Sequence, residues 1–220
     1  MLDMHCHILY GVDDGAKTIL ETEELIKQEI SSGVDHIVFT PHQNENTNNS
    51  LELRNVFNEI KDKFKDYQIH FELGSEIYYY PNMDKDLDNK KLLTLNDSKY
   101  VLVEFSTYEE TNIADILYDL KVSGYKPIIA HIERYSYLKF SDYDEIKKYA
   151  LIQVNSLSFE KKEYKKILKY LLKNNMVSFI ASDCHNPKSR PANYDTAKKI
   201  ISKKYKDCYS KLFETDFKFE

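Results

Sequence analysis

Cysteine is scarce in this chain, with three residues among 220. Cys6, Cys184 and Cys208 lack the paired spacing of a zinc finger, and their odd number does not suit a disulfide framework. The cysteine content therefore suits a reducing compartment better than a disulfide-stabilised fold.

Long apolar runs and basic blocks are also absent from the sequence. No stretch is apolar enough to span a membrane, and residues 1–7 do not resemble a signal peptide because no basic segment precedes an apolar run. The net charge is -5 and the lysines are dispersed, which does not favour a nucleic-acid partner. We expect a cytoplasmic protein without membrane insertion.

Apolar runs typical of strands alternate with helical patterns throughout the chain. With 42% hydrophobic residues, the chain can bury one core, and we expect a single domain over residues 1–220. Seven strands are predicted, at residues 2–7, 36–40, 69–77, 100–104, 127–131, 151–155 and 177–182. Between the first two, Thr18 and Glu21 have the spacing of a helix start, and Gly33 ends that helix.

This alternation predicts an α/β fold, a single-domain distorted (β/α)7 TIM-like barrel. Periodicity alone does not separate a barrel from an open doubly wound sheet. However, no glycine-rich nucleotide fingerprint follows the first strand, which counts against the open sheet.

Side chains that can bind metal lie on or after most predicted strands. His5 and His7 alternate on the first strand, so both imidazoles project from one face. Barrels of this kind build their active sites at the carboxyl ends of the strands. The candidates at that end are His5, His7, Asp14, His42, Glu76, Glu104, His131, Asp183 and His185. This set is too large for one ion and predicts two or three divalent cations.

Each candidate taken alone is more simply a polar residue at the start of a loop. Their recurrence at nearly every strand end is what favours a metal centre. His36 and His70 lie instead where strands begin, at the opposite end of a barrel, and we predict that they are not ligands.

Six motifs together resemble the polymerase and histidinol phosphatase (PHP) superfamily. They are Asp3-Met4-His5-Cys6-His7, Gly11-Val12-Asp13-Asp14-Gly15, Thr40-Pro41-His42, Gly74-Ser75-Glu76, Ala130-His131-Ile132-Glu133-Arg134-Tyr135 and Ser182-Asp183-Cys184-His185-Asn186. Val12-Asp13-Asp14-Gly15 and Glu133-Arg134-Tyr135 resemble, more narrowly, its bacterial protein-tyrosine phosphatase branch, which is associated with capsule and exopolysaccharide assembly.

The resemblance implies a PHP-type barrel with a trinuclear site bridged by Glu76. It assigns one ion to His5, His7, Glu76 and Asp183, a second to Asp14, His42 and His185, and a third to Glu76, Glu104 and His131. Arg134 and Arg190 match arginines that hold the substrate phosphate, a role suited to planar guanidinium groups. The family prefers Mn²⁺, although Zn²⁺ or Fe would suit the same ligands.

The implied activity is hydrolysis of phosphotyrosine by a metal-bound hydroxide. Cations stabilise hydroxide near neutral pH, and a tyrosine leaving group, with a pKa of about 10, needs less protonation than an alkyl alcohol. The implied partner is the phosphotyrosine-containing tail of a bacterial tyrosine kinase that controls polysaccharide export.

Three alternatives stay open. Residues 184–190 match the Cys-x5-Arg pattern of cysteine-dependent tyrosine phosphatases, but they contain no glycine, and Pro187 removes a backbone donor from the phosphate loop. The second alternative is a PHP-type phosphoesterase acting on a metabolite such as histidinol phosphate. The third is a non-catalytic phosphopeptide-binding module. It stays open because Ile132 replaces a usual family proline and residues 212–220 lack the family's usual ending, and both departures could misplace the phosphate-binding groups.

Overall fold

The computed structural model describes residues 1–47, 49–215 and 217–219. Within them the strands are β1 (Leu2–Cys6), β2 (His36–Phe39), β3 (His42–Gln43), β4 (His70–Leu73), β5 (Glu76–Tyr78), β6 (Tyr100–Glu104), β7 (Lys126–Ile129), β8 (Leu151–Asn155) and β9 (Phe179–Ala181). The helices are α1 (Ile19–Ser31), α2 (Ser50–Lys63), α3 (Met83–Asp88), α4 (Ile113–Val122), α5 (Phe140–Tyr149), α6 (Lys165–Lys173), α7 (Asp195–Lys204) and α8 (Lys206–Phe213).

The strands pair in parallel in two sheets. One has the order β1-β2-β4 and the other β3-β5-β6-β7-β8-β9. Two backbone hydrogen bonds of 2.8 Å link the end of β1 and the residue after it to the segment after β9: Asp183 N donates to His5 O, and His7 N donates to Cys184 O. The chain therefore has a mixed α/β fold in which the parallel strands form a half-barrel.

The structure ends the predicted strand 36–40 at Phe39 and adds a short strand, β3, that was not predicted, and it divides the predicted strand 69–77 into β4 and β5. Pro41 separates β2 from β3, because proline offers no N–H to a sheet ladder. Gly74 and Ser75 separate β4 from β5, and a Cβ on Gly74 would lie 2.5 Å from Leu95 Cδ2. Both breaks pass the chain into the second sheet, where His42 pairs in register with Glu76.

Local signals placed the first helix correctly. Thr18 is the N-cap of α1, its side chain accepting a hydrogen bond from Glu21 N at 3.3 Å, and Gly33 follows the helix with a φ of +82°. The short helices α3 and α8 were not predicted. No described helix is long and apolar enough to cross a membrane.

Apolar side chains form two buried clusters around the strands. The larger cluster joins the helices to the strands, as Leu25 and Ile26 of α1 illustrate. The smaller cluster contains Met4, Val38, Leu95, Leu102, Ile128, Ala130, Phe179, Ala181 and Phe219. Of the predicted atypical terminal segment, residues 212–220, Asp216 and Glu220 lie outside the described residues, and Phe219 belongs to the smaller cluster.

Candidate metal centre

The nine candidate donors predicted at strand ends lie in one connected cluster. Each has a ligand atom within 4.0 Å of another member, and the members are His5, His7, Asp14, His42, Glu76, Glu104, His131, Asp183 and His185. They come from β1, β3, β5, β6 and the segments after β1, β7 and β9. The shared direction of the parallel strands places them at one end of the fold.

Glu76 lies at the middle of this cluster and is buried. Its Oε1 is 3.3 Å from His5 Nε2 and 2.9 Å from His131 Nε2. Its Oε2 is 3.2 Å from His7 Nε2 and 3.1 Å from His42 Nδ1. One carboxylate thus contacts four imidazoles, an arrangement suited to a bridging ligand.

Asp14 extends the cluster to the protein surface. Its Oδ1 is 3.4 Å from His42 Nε2 and 3.3 Å from His185 Nε2. Glu104 is also partly exposed, and its Oε1 is 3.4 Å from His131 Nε2. The donors therefore extend from a buried centre to a partly exposed rim.

Among the nine donors, three groups of atoms are compact enough to hold an ion. They are His5, His7 and Asp183; His7, Asp14, His42 and His185; and His42, Glu76 and Glu104, with each group's atoms within 4.8 Å of one another. The groups differ from the three implied ligand sets at three points. Glu76 is missing from the first, His7 joins the second, and His42 replaces His131 in the third.

His5 and His7 show why a cation fits here. His5 Nδ1 donates to Gln153 Oε1 at 3.2 Å, and His7 Nδ1 donates to Asp13 Oδ2 at 2.7 Å. Because Nδ1 of each ring already has a partner, Nε2 is the atom that each ring can offer to a cation, and the two Nε2 atoms lie 3.2 Å apart. One cation could therefore be bound by both rings.

The pKa values in the cluster reflect its negative charge. Burial by itself lowers the pKa of His131, but hydrogen bonds with Glu104 and Glu76 raise it to about 10. Against the effect of burial, the surrounding imidazoles, first that of His5, hold the pKa of Glu76 well below its usual range. His185 differs, since burial and a neighbouring imidazole lower its pKa to about 3. The carboxylates of the cluster favour positive charge among the donors, and a divalent cation bound there would supply it.

Several supporting side chains were not among the predicted site residues. Asp13 accepts hydrogen bonds from His7 Nδ1, from Gly15 N at 2.8 Å and from His42 N at 3.1 Å. Against the effect of burial, the His7 contact holds the pKa of Asp13 well below its usual range. Its position next to Asp14 in the sequence was the available signal.

Gln153 and Asn155 of β8 support the other side of the cluster. Gln153 Oε1 accepts from His131 N at 2.6 Å as well as from His5, and Gln153 Nε2 donates to Asn155 Oδ1 at 2.8 Å. Asn155 Nδ2 in turn donates to Asp183 Oδ2 at 2.6 Å. Two polar residues at alternate positions of a buried strand were the sequence signal for this row.

Two donors have unusual backbone conformations. His131 has a φ of +28° and Asp183 a φ of +50°, both in the left-handed range that non-glycine residues rarely adopt. Such conformations cost of order 1–3 kcal/mol each and cluster at functional sites. The rest of the fold therefore holds these two residues in place at an energetic cost.

Arg134 and Arg190 lie at the rim and share one carboxylate. Arg190 Nη2 is 2.8 Å from Asp183 Oδ2, and Arg134 Nη1 is 4.0 Å from the same atom. Their side chains are 41% and 36% exposed. Ile132, the departure from the expected proline, is fully buried and begins the 3₁₀ helix that carries Arg134.

Cys184 points away from the donor cluster. Its side chain is fully buried, and its Sγ donates to Glu29 Oε1 of α1 at 3.7 Å. A thiol in this position cannot attack a phosphoryl group held by Arg134 and Arg190 at the rim. The cysteine-dependent alternative therefore has no support in this geometry.

The family model for capsular polysaccharide synthesis, CpsB/CapC, matches residues 1–216. The chain belongs to the CpsB/CapC family. The resemblance indicated by the sequence motifs is confirmed at this level.

Among CpsB/CapC relatives, the tyrosine-protein phosphatase YwqE of Bacillus subtilis (strain 168) is 32% identical over 216 residues, covering 93% of this chain and 85% of YwqE. The tyrosine-protein phosphatase CpsB of Streptococcus pneumoniae is 34% identical over 230 residues, covering 93% of this chain and 91% of CpsB.

The fold is also similar to solved structures. A chain from the crystal structures of YwqE from Bacillus subtilis and CpsB from Streptococcus pneumoniae, described as unique metal-dependent tyrosine phosphatases, matches with a TM-score of 0.84 and 30% identity, covering 99% of this chain and 96% of that one. A histidinol phosphate phosphatase from Lactococcus lactis, in complex with Zn, L-histidinol and phosphate, has a TM-score of 0.65 at 16% identity, with 92% of each chain covered. At that identity the second likeness shows the fold alone.

Proposed function

We propose that this CpsB/CapC chain is a metal-dependent protein-tyrosine phosphatase. The observation that carries the proposal is the buried Glu76 carboxylate in contact with four imidazoles, with two arginines at the rim beside Asp183. The activities named for YwqE and CpsB support the same reaction. The nine donors are the proposed ligands, and Mn²⁺ is the proposed ion.

We also propose that residues 1–220 form one domain with a distorted (β/α)7 barrel. If β2 and β3 count as one strand, and β4 and β5 as another, seven strands remain. The backbone bonds between His5 and Asp183 and between His7 and Cys184 support closure between β1 and β9.

In this proposal the chain's own side chains orient the reactants. Asp13 and Gln153 fix the rings of His7 and His5 so that both Nε2 atoms face Glu76. When bound, divalent cations at these donors would activate a water nucleophile and offset negative charge on the phosphoryl group.

The two arginines bind the phosphate in this proposal. Asp183 holds Arg190 directly and lies 4.0 Å from Arg134, so both guanidinium groups lie beside the donors. Their forked N–H groups match the equatorial oxygens of a phosphoryl group. A tyrosine leaving group, with a pKa of about 10, makes a dedicated general acid less important than it is for alkyl esters.

The proposed substrate is the phosphotyrosine-containing tail of a bacterial tyrosine kinase that regulates capsule or exopolysaccharide synthesis. The family's description, capsular polysaccharide synthesis, supports this assignment. A cytoplasmic location stays a prediction.

The test is phosphate release from a phosphotyrosine peptide with Mn²⁺, after EDTA, and after Mn²⁺ is restored. We expect activity that the chelator abolishes and Mn²⁺ recovers, and that Cys184→Ser leaves in place. Activity that survives complete metal removal would contradict the proposal. Turnover of histidinol phosphate in preference to the peptide would favour the metabolite enzyme, and tight peptide binding without turnover would favour the binding module.

Arg134→Ala tests the phosphate clamp, with Arg54→Ala as the matched control. Arg54 is an exposed arginine that pairs with Asp97, which is not one of the nine donors. We expect Arg134→Ala to reduce kcat/KM by at least about 100-fold, since charge-assisted contacts to a transition-state phosphate contribute about 3 kcal/mol. Equal activity of the two variants would remove Arg134 from the proposed mechanism.

A further inference from the structure

A second group of metal-binding side chains lies at the other end of the strands. His36 is the first residue of β2 and His70 the first residue of β4, and the two are paired in register. Glu72 lies two residues after His70 on β4, so both side chains project from the same face. The three residues are separate from the nine donors of the candidate metal centre.

The Glu72 carboxylate lies between the two imidazoles. Its Oε2 is 3.1 Å from His36 Nε2, and its Oε1 is 3.2 Å from His70 Nε2. The two imidazole rings have centroids 4.7 Å apart. Zinc bound tetrahedrally at about 2.0–2.1 Å separates neighbouring ligand atoms by about 3.3 Å, so these spacings suit ligands of one ion.

Two atoms of the group lack the hydrogen bonds that their burial requires. His36 Nε2 and Glu72 Oε2 are buried, and neither makes a hydrogen bond within the described part of the chain. They are close to one another but poorly aligned for hydrogen bonding. Because unpaired buried polar atoms are costly, a cation bound between them would satisfy both.

The surroundings let an ion enter. The group opens into a cavity of about 400 Å³, which Asp35, Asn96, Lys218 and Phe219 also line. The His70 side chain is 63% exposed, so a solvent ion can reach its Nε2, and water can complete the coordination. Lys218 brings positive charge to the cavity, and Asp35 brings negative charge. The Asp35 carboxylate is itself paired with the N-terminal ammonium group at 2.7 Å.

The donor types favour a transition-metal ion. A carboxylate with two imidazoles is a donor set that suits Zn²⁺, Co²⁺, Ni²⁺ or Cu²⁺ better than Mg²⁺ or Ca²⁺.

We propose that His36, His70 and Glu72 form a second site that binds Zn²⁺ or a related transition-metal ion. This proposal departs from the sequence-based prediction that neither His36 nor His70 is a ligand, because the structure brings both imidazoles to Glu72. An ion here links β2 to β4 at their amino-terminal ends. Its role is structural, since no residue of the candidate metal centre takes part.

The test is equilibrium dialysis against Zn²⁺, with the bound ions counted per chain at saturation. We expect His70→Gln to bind one ion fewer than the unaltered chain. Because His70 is largely exposed, this variant should fold even if Glu72→Gln does not. Glu24→Gln, which removes one exposed carboxylate from α1, is the control for lost charge.

Co²⁺ provides a second readout through its visible absorption. The difference spectrum between the unaltered chain and His70→Gln should show one tetrahedral or five-coordinate Co²⁺. Equal ion counts and superimposable Co²⁺ spectra for the two proteins would overturn the proposal. Phosphotyrosine hydrolysis with Mn²⁺ should be unchanged in His70→Gln, so failure of this site and failure of the proposed phosphatase activity give different results.

Discussion

Asp13 shows how much a residue that is not a proposed ligand contributes to the candidate metal centre. Its carboxylate receives the Nδ1–H of His7 and two backbone N–H groups, so the His7 ring has one orientation and one tautomer. Gln153 does the same for His5 with a neutral oxygen. The proposed ligands are therefore oriented by partners on other segments of the chain.

Asp13→Asn should weaken Mn²⁺ binding by about 10- to 100-fold, the usual effect of losing a partner that orients a ligand. The amide retains an acceptor oxygen but loses the charge that fixes the His7 tautomer. Calorimetric titration with Mn²⁺ measures the change. Asp66→Asn, at an exposed position, is the matched control, and equal affinities in the two variants would contradict the assigned role.

Among the secondary-structure elements, the loop between β1 and α1 is the one that brings Asp13 and Asp14 to His7 in the candidate metal centre. It carries Asp13 and Asp14, and it folds back on the residue after β1 through Ala16 N, which donates to His7 O at 3.0 Å. A Cβ on Gly15 would lie 2.1 Å from His7 O and 2.6 Å from His7 Cβ. The absence of a side chain at residue 15 therefore permits this close approach.

Gly15→Ala should displace the loop from His7. We expect the free energy of unfolding to fall by about 1–3 kcal/mol, as in other overpacked sites, and Mn²⁺ binding to weaken. Urea unfolding and metal titration measure the two effects. Gly124→Ala is the control, because its φ of +89° costs stability while its Cβ would meet open space. A Gly15→Ala protein that binds Mn²⁺ like this control would show that the loop tolerates the methyl group.

At the scale of the whole molecule, one buried carboxyl group makes the stability depend on pH. Glu29 of α1 is fully buried between Asp3 and Cys184. Burial, and next the charge of Asp3, raise its pKa well above the usual 4.5. The folded protein therefore keeps the Glu29 proton at a pH where the unfolded chain has lost it.

Because only the folded protein keeps this proton, the free energy of unfolding falls as the pH rises above about 4.5. The fall ends once the pH exceeds the raised pKa of Glu29 in the folded state. One proton contributes a slope of at most about 1.4 kcal/mol per pH unit. Glu29→Gln should reduce this fall and be the more stable protein at high pH. Urea unfolding over a pH series, with EDTA present to exclude metal effects, measures it, with Glu24→Gln as the exposed control. Parallel curves for Glu29→Gln and the unaltered chain would contradict the assignment.

The sequence by itself determined the alternation of strands and helices and the candidates at the strand ends. These features depend on short-range patterns: apolar periodicity sets each element, and the parallel direction of the strands places their carboxyl ends together. Thr18 and Gly33 set the ends of α1 for the same local reason.

Only the tertiary structure decided which donors meet and what supports them. The contact of His5 with Gln153 joins residues 148 positions apart, and the register of His42 with Glu76 follows from two strand breaks that apolar periodicity does not reveal. The direction of Cys184 toward Glu29 and the meeting of His36 with Glu72 are likewise set by packing between distant segments. Such contacts depend on the relative positions of whole elements, which no local pattern specifies.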